Sequence, residues 1–266
     1  MPRNIINKED FMEYRVHQKE TFYFILKILF TVVVVFFAVS ALKNLTALGA
    51  EAAGPTAAVF VFYAVFIWLF IWFQKVLLIG HLKGNGVEIT ASQFPEAHEA
   101  YRKIAEGLQI RKIPPLFILQ EGGALNAFAV RFSGRNYIAV YSEIFSMYES
   151  APEIVQFVLA HELGHVKRNH LVKRFWTLPS AFVPFLEAAY SRSCEHTCDR
   201  IGAAFCGEKS IQGLILLAAG KDIFSKVKVE SYIESAKTNN TAAVKFAQLF
   251  MSHPYIPLRI RDLQNQ

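Results

Sequence analysis

The sequence predicts an α+β protein in two parts: a hairpin of two membrane-spanning helices, then a mostly helical domain with a small β-sheet. Three observations predict it. Two long apolar runs occupy the first 80 residues, helix signals dominate the rest, and three short strand signals cluster between residues 115 and 141. The boundaries drawn are a polar head at 1–20, the hairpin at 21–80 and the domain at 81–266. The residues beyond the hairpin, about 180, are ample for one hydrophobic core.

Phe22 to Leu42 is nearly continuous Phe, Val, Ile and Leu, with Lys27 near its start. Thr56 to Phe73 is uncharged, and Val76–Ile79 extends it past Gln74 and Lys75. Each run supplies the roughly 20 residues that cross a bilayer as a helix. Lys27 is expected to snorkel toward the interface, and Trp68 and Trp72 fall where an aromatic belt places them. A cleaved signal peptide does not fit, because the first run follows a long polar head and precedes a second run.

Basic residues set the orientation. The head carries Arg3, Lys8, Arg15 and Lys19, the loop from Leu42 to Pro55 only Lys43, and Lys75 and Lys83 follow the second run. The positive-inside rule then puts both ends and the domain in the cytoplasm, as a multi-pass protein of a bacterial inner membrane. Three cysteines, an odd number, argue against a disulfide framework and suit a reducing compartment. The net charge of +6 and pI near 9.2 are spread along the chain with no basic run interleaved with aromatics. An anionic lipid surface explains that charge, and nucleic acid is not expected as a partner.

Within the domain, a helix opens at Phe94-Pro95-Glu96 and runs through Ala105 and Leu108. Strands are expected at Pro115–Gln120, Ala127–Phe132 and Tyr137–Tyr141, with Ser133-Gly134-Arg135-Asn136 as the turn between the last two. Lys237 to Thr241, a markedly polar stretch, reads as a loop.

The chemistry concentrates at His161-Glu162-Leu163-Gly164-His165. Histidines four apart share one helix face, so both imidazoles reach a single metal, and the glutamate between them sits where it accepts a proton from water. The flanks supply the helix. Ser150, with Glu153 three residues on, reads as a capping box, and Pro152 suits a first turn. Ile154, Val155, Val158, Leu159 and Leu163 make the body apolar, and Lys167 and Arg168 favour the C-terminal end of the helix dipole. His170 comes nine positions after His161, and Arg168 stands where metzincins need glycine, so His170 reads as a helix-end residue.

A catalytic zinc takes a third protein ligand from elsewhere. Candidates are the other histidines, the three cysteines and the acids. Glu195 stands out, because Asp199 lies one helical turn on, where it can hydrogen-bond the free nitrogen of a ligating histidine. Cys194 and Cys198 lack the two-residue spacer of structural zinc sites and read as small packing residues; Cys206 has no obvious partner.

These segments resemble the HtpX-like membrane-bound zinc endopeptidases, gluzincins related to the CAAX prenyl endopeptidase. The resemblance rests on Phe94-Pro95-Glu96, Ile113-Pro114-Pro115, Asn126-Ala127-Phe128-Ala129, Val158 to His165 with His170, Ser191-Arg192 with Glu195, Asp199 and Gly202, and His253-Pro254 with Arg259-Ile260 and Leu263. It covers roughly residues 94–206 and 253–263 and implies a zincin-type domain with one Zn2+ per chain. His161, His165 and Glu195 are then the ligands, Glu162 the general base and Asp199 a residue holding a ligand. The resemblance also implies Asn126 to Ala129 as an edge strand pairing with extended substrate, His253 as an oxyanion group and Arg259 as a residue holding the site together.

Two departures stand out. Cysteine at 198 replaces the usual alanine, and Phe175–Tyr190 is too short for the second membrane hairpin that HtpX carries there. A cytosolic helical connection, lying against the membrane or over the cleft, is expected instead. The implied activity is endoproteolysis of membrane or misfolded proteins at the cytoplasmic face, a quality-control role, with the lipid bilayer as the other partner. The rival is an inactive membrane-anchored zinc scaffold, which has no use for Glu162. A prenyl-peptide protease buried in the bilayer needs more spans than two.

Overall fold

The computed structural model describes residues 14–47 and 50–265, so Arg3 and Lys8, used in the orientation argument, lie outside the described residues. Two long helices come first, α1 (Gln18–Ala47) and α2 (Ala50–Asn85). Both are long and apolar enough to span a membrane. Phe36, Phe37, Phe60 and Phe62 are among the large apolar side chains they leave exposed, as a helix facing lipid does. The last turns of α2 are different. Ile79 and Leu82 are buried against the sheet, so this helix runs unbroken from the apolar run into the domain.

The domain continues through β1 (Val87–Glu88), α3 (Pro95–Gly107), β2 (Leu116–Leu119), β3 (Ala127–Phe132), β4 (Arg135–Tyr141) and α4 (Ser142–Phe145). Then come α5 (Pro152–Lys167), α6 (His170–Trp176), a 3₁₀ turn (Leu178–Phe182) and α7 (Leu186–Cys206). After α8 (Lys209–Ala219) and a 3₁₀ turn (Phe224–Lys226), the chain ends with α9 (Val229–Thr238), α10 (Ala242–Phe250) and α11 (Ile256–Gln264). This is the α+β class the sequence predicts.

The sheet order is β1-β2-β4-β3. β2 and β4 are parallel, while β3 returns antiparallel to β4 with Ala127 opposite Val140 and Ala129 opposite Ile138. β3 is therefore an edge strand. One face of the sheet meets Ile79 and Leu82 through Phe117, Leu119 and Val130; the other, with Leu116, Ile138 and Val140, faces the helical core. The two-residue β1 carries too little alternation to be seen in sequence.

α5 is the central helix, and almost its whole circumference is buried, as its apolar composition requires. It crosses α7 closely: a Cβ on Gly164 would lie 3.1 Å from Cys198 Sγ. Phe157 wedges toward α7 from the same helix, where a Cβ on Gly202 would lie 2.6 Å from its ring.

Local structure corrects the sequence reading in three places. Ser150 does not cap α5. Its hydroxyl donates to Met147 O at 3.3 Å, the N-cap is Ala151 without a side-chain bond, and both Ser150 and Ala151 N–H groups are held by Met147 O. The preceding turn has captured the serine. Lys27 does not snorkel to water; it is wholly buried, ion-paired to Glu187 and 4.8 Å from the Tyr190 ring centroid. The loop expected at 237–241 is present but shorter, covering 239–241: α9 extends to Thr238, and Thr241 Oγ1 accepts from Val244 N to begin α10.

Candidate metal centre

α5 and α7 lie side by side and bring the three expected ligands together. His161 and His165 share one face of α5, and Glu195 faces them from α7. His161 Nε2 is 3.3 Å from His165 Nε2. Glu195 reaches both through its two oxygens, Oε2 to His161 Nε2 and Oε1 to His165 Nε2, each at 3.3 Å. Donors at the corners of a tetrahedron, about 2.05 Å from its centre, stand about 3.3 Å apart, so each separation suits zinc, the two Glu195 distances being to different oxygens of its carboxylate. Glu195 is 2 % exposed, and its Oε2, 2.9 Å from His253 Nδ1 and 3.7 Å from Arg259 Nη1, accepts no hydrogen bond of normal geometry from either. A buried carboxylate oxygen in that state is what a cation satisfies. The residues present fit the metal.

A sulfur also lies nearby. His161, His165 and Cys198 offer ligand atoms within 4.8 Å of one another, which makes Cys198 a rival third donor to weigh against its packing role. Its burial, and then Glu195, push the thiol pKa well up, and a thiol must ionise to bind metal. The carboxylate is closer and already ionised: burial opposes its charge, but His161, His165 and His253 hold its pKa well below the usual carboxylate range. Glu195 is the better third donor.

Support comes from two sides. Asp199 Oδ1 is 3.0 Å from His161 Nδ1, which leaves Nε2 for the triangle. Arg259, brought in by α11, grips Asp199 in two bonds, Nε to Oδ2 at 2.7 Å and Nη2 to Oδ1 at 2.6 Å. Burial works against a charged His161, yet Asp199 and then Glu195 outweigh it and push its pKa up to about 10. On the other side, His165 Nδ1 is 3.1 Å from His170 Nδ1. His170 Nε2 in turn lies 3.2 Å from Glu20 Oε1, without hydrogen-bond alignment. Burial lowers the His170 pKa to about 4, so it stays neutral and can accept from His165.

Glu20, at the start of α1, is buried and also takes Arg168 Nη2 at 2.9 Å and Lys173 at 3.6 Å. Neither role was legible beforehand. An acid ahead of an apolar run gives no sign of partners some 150 residues away, and His170 looked like a helix-end residue. Its spacing from the motif was the available signal.

Glu162 is buried at 8 % exposure on the same helix and makes no hydrogen bond or ion pair among the described residues. His253, 66 % exposed, places Nδ1 2.9 Å from Glu195 Oε2. Its loop is held by Arg192 Nη1, which donates to the carbonyls of Gln248 and Met251. Asn126 immediately precedes β3; its Oδ1 accepts from Ala127 N at 2.9 Å and its carbonyl from Tyr141 N. Ala127, Phe128 and Ala129 follow on the edge strand, which packs against α5.

Comparison with known proteins follows the same residues. A family model described as "Peptidase family M48" matches residues 91–183 and 175–266. The chain belongs to peptidase family M48. An M48-type relative in Arabidopsis thaliana, named "Plastoglobule-localized metallopeptidase 48, chloroplastic", is 28 % identical over 217 residues. That match takes in 71 % of this chain and 62 % of the relative, so the chain spans under two thirds of that protein's length. No solved structure gives a significant match. M48 membership agrees with the resemblance drawn from the motifs, and the M48 model covers α5, α7 and α11, which carry the donors and their supports.

Proposed function

We propose that this M48 chain is a zinc-dependent endopeptidase anchored in the bilayer, acting at the cytoplasmic face of a bacterial inner membrane on membrane or misfolded proteins. The observation that carries this reading is the 3.3 Å triangle of His161, His165 and Glu195 with Glu162 one residue along the same helix. The two apolar helices support the anchor, and the relative's name supports metallopeptidase activity.

In this reading the triangle holds one zinc per chain. A zinc held by His161, His165 and Glu195 would polarise a scissile carbonyl and lower the pKa of water to about 7. Glu162, which makes no ion pair among the described residues, takes the proton of the attacking water and returns it to the leaving amine. Asp199 and Arg259 fix the tautomer and angle of His161. His253, exposed at the edge of the donor triangle, is the group we assign to the developing oxyanion, worth on the order of 3 kcal/mol. The open side of β3 is where we place an extended substrate, its backbone adding one strand to the sheet beside α5.

Glu162→Gln tests the reading in detergent-purified protein. Zinc content should stay that of the wild type while proteolysis falls by about 10²–10⁴-fold. Undiminished cleavage would overturn the mechanism, and a wild type that binds zinc but cleaves nothing would be the inert scaffold.

A further inference from the structure

Between α6 and α7 the chain presents an aromatic surface that the proposed chemistry leaves unused. Phe175, Trp176, Leu178, Phe182 and Phe185 are exposed, Trp176 at 72 % and Phe182 at 84 %. Phe185 stacks edge-on against Phe250 at 4.9 Å, which extends the apolar surface onto α10. Soluble surfaces seldom leave such a patch bare.

Its position relative to α1 identifies the occupant. The 3₁₀ turn Leu178–Phe182 packs against α1. On α1, Glu20, Phe24, Lys27, Phe30, Thr31 and Val34 are buried or half-buried, while most of the side chains between them are exposed. That is one helical stripe, and it shows how far the domain climbs the helix. The apolar run begins at Phe22, so at 1.5 Å per residue Lys27 is about 8 Å into it and Val34 about 18 Å. Polar cover accompanies the first part only. Glu20 meets Arg168 and Lys173, and Lys27 meets Glu187, which also takes Arg174 at 2.7 Å. Beyond Lys27 the half-buried stripe is Phe30, Thr31 and Val34, with Thr31 Oγ1 buried and making no hydrogen bond among the described residues.

The layer of charges spans Glu20 to Lys27, about 10 Å of helix, somewhat deeper than one headgroup region of roughly 5–8 Å. Trp176 follows directly on Lys173 and Arg174, the order in which basic and aromatic residues meet a bilayer surface. We propose that residues 175–185 are a third membrane contact, an aromatic segment lying at the boundary between headgroups and acyl chains beside α1. The proposal rests on the reading that α1 and α2 span a bilayer. It places Glu20, and through His170 the donor His165, just above that boundary, so the metal centre sits against the lipid surface.

Trp176 reports on this directly, because the chain has three tryptophans and the other two, Trp68 and Trp72, lie in α2. Full-length protein carrying Trp68→Phe and Trp72→Phe is placed in phosphatidylcholine nanodiscs brominated near the headgroup or near the chain ends. A Trp176→Phe protein, keeping Trp68 and Trp72, is the control. The proposal expects Trp176 emission to be lost to shallow bromines more than to deep ones. Trp176 untouched while the control is quenched overturns the third contact and leaves the anchor standing. Deep bromines quenching Trp176 more than shallow ones also overturns it, in favour of a crossing segment. No quenching in either protein removes the anchor reading and the proposal together.

Discussion

Asp199 and His161 are joined by a 3.0 Å hydrogen bond between Oδ1 and Nδ1, and that bond decides which imidazole nitrogen faces the donor triangle. Because Arg259 holds the other side of Asp199 in two bonds, the carboxylate cannot turn without breaking all three. Asp199→Asn keeps the shape but removes the charge and places an amide between two donors. Zinc affinity should fall by about 10–100-fold, read by competition with a fluorescent chelator. Unchanged affinity would remove Asp199 from the support of the site.

Zinc binding should release a proton from His161. Its folded, metal-free pKa is raised to about 10 from 6.5. Protonated His161 therefore stabilises the metal-free chain fully below about pH 6.5, and that stability is lost as pH rises through about 10. Zinc must displace this proton, so apparent affinity rises with pH across that window, by about tenfold per unit for one proton. Calorimetric titration at about pH 8, in buffers of different ionisation enthalpy, counts the release. No dependence on buffer contradicts the assignment of the raised imidazole.

His170 offers its Nδ1 to His165 from the side opposite the triangle. Asparagine places a carbonyl oxygen close to that position and alanine does not. His170→Ala should weaken zinc by about 10-fold or more, with His170→Asn restoring much of the loss. A residue needed only to fill space would show no such rescue, and chelator competition on both variants distinguishes the two.

Much of this was legible because the decisive spacings are local. His161, Glu162 and His165 lie on one helix by sequence separation alone, and Glu195 with Asp199 are one turn apart on another. The long strands were legible from their alternation and turn residues. What escaped depends on tertiary competition. Ser150 has the right spacing for a capping box, but Met147 O offers its hydroxyl a nearer acceptor. Lys27 has the look of a snorkelling lysine until Glu187, 160 residues away in sequence, comes to meet it. Glu20 is the same case: its partners sit beyond α5, and no local pattern announces them.

Proline scanning of the edge strand tests substrate pairing. β3 bonds to β4 on one side, so N–H groups at alternate residues among Ala127, Phe128 and Ala129 point outward while the others serve the ladder. Proline at an outward position removes a donor that only a paired substrate uses, leaving the fold intact. Such a variant should keep its melting temperature and zinc content while KM for a peptide rises by about 5-fold or more, the loss of roughly one net hydrogen bond. Proline at an inward position breaks the ladder and should lower the melting temperature instead. The signature is therefore an alternation between two kinds of damage along three consecutive residues. If every proline variant that folds retains wild-type KM, the substrate does not extend this sheet, and the edge beside α5 serves only to bury Val130 and its neighbours.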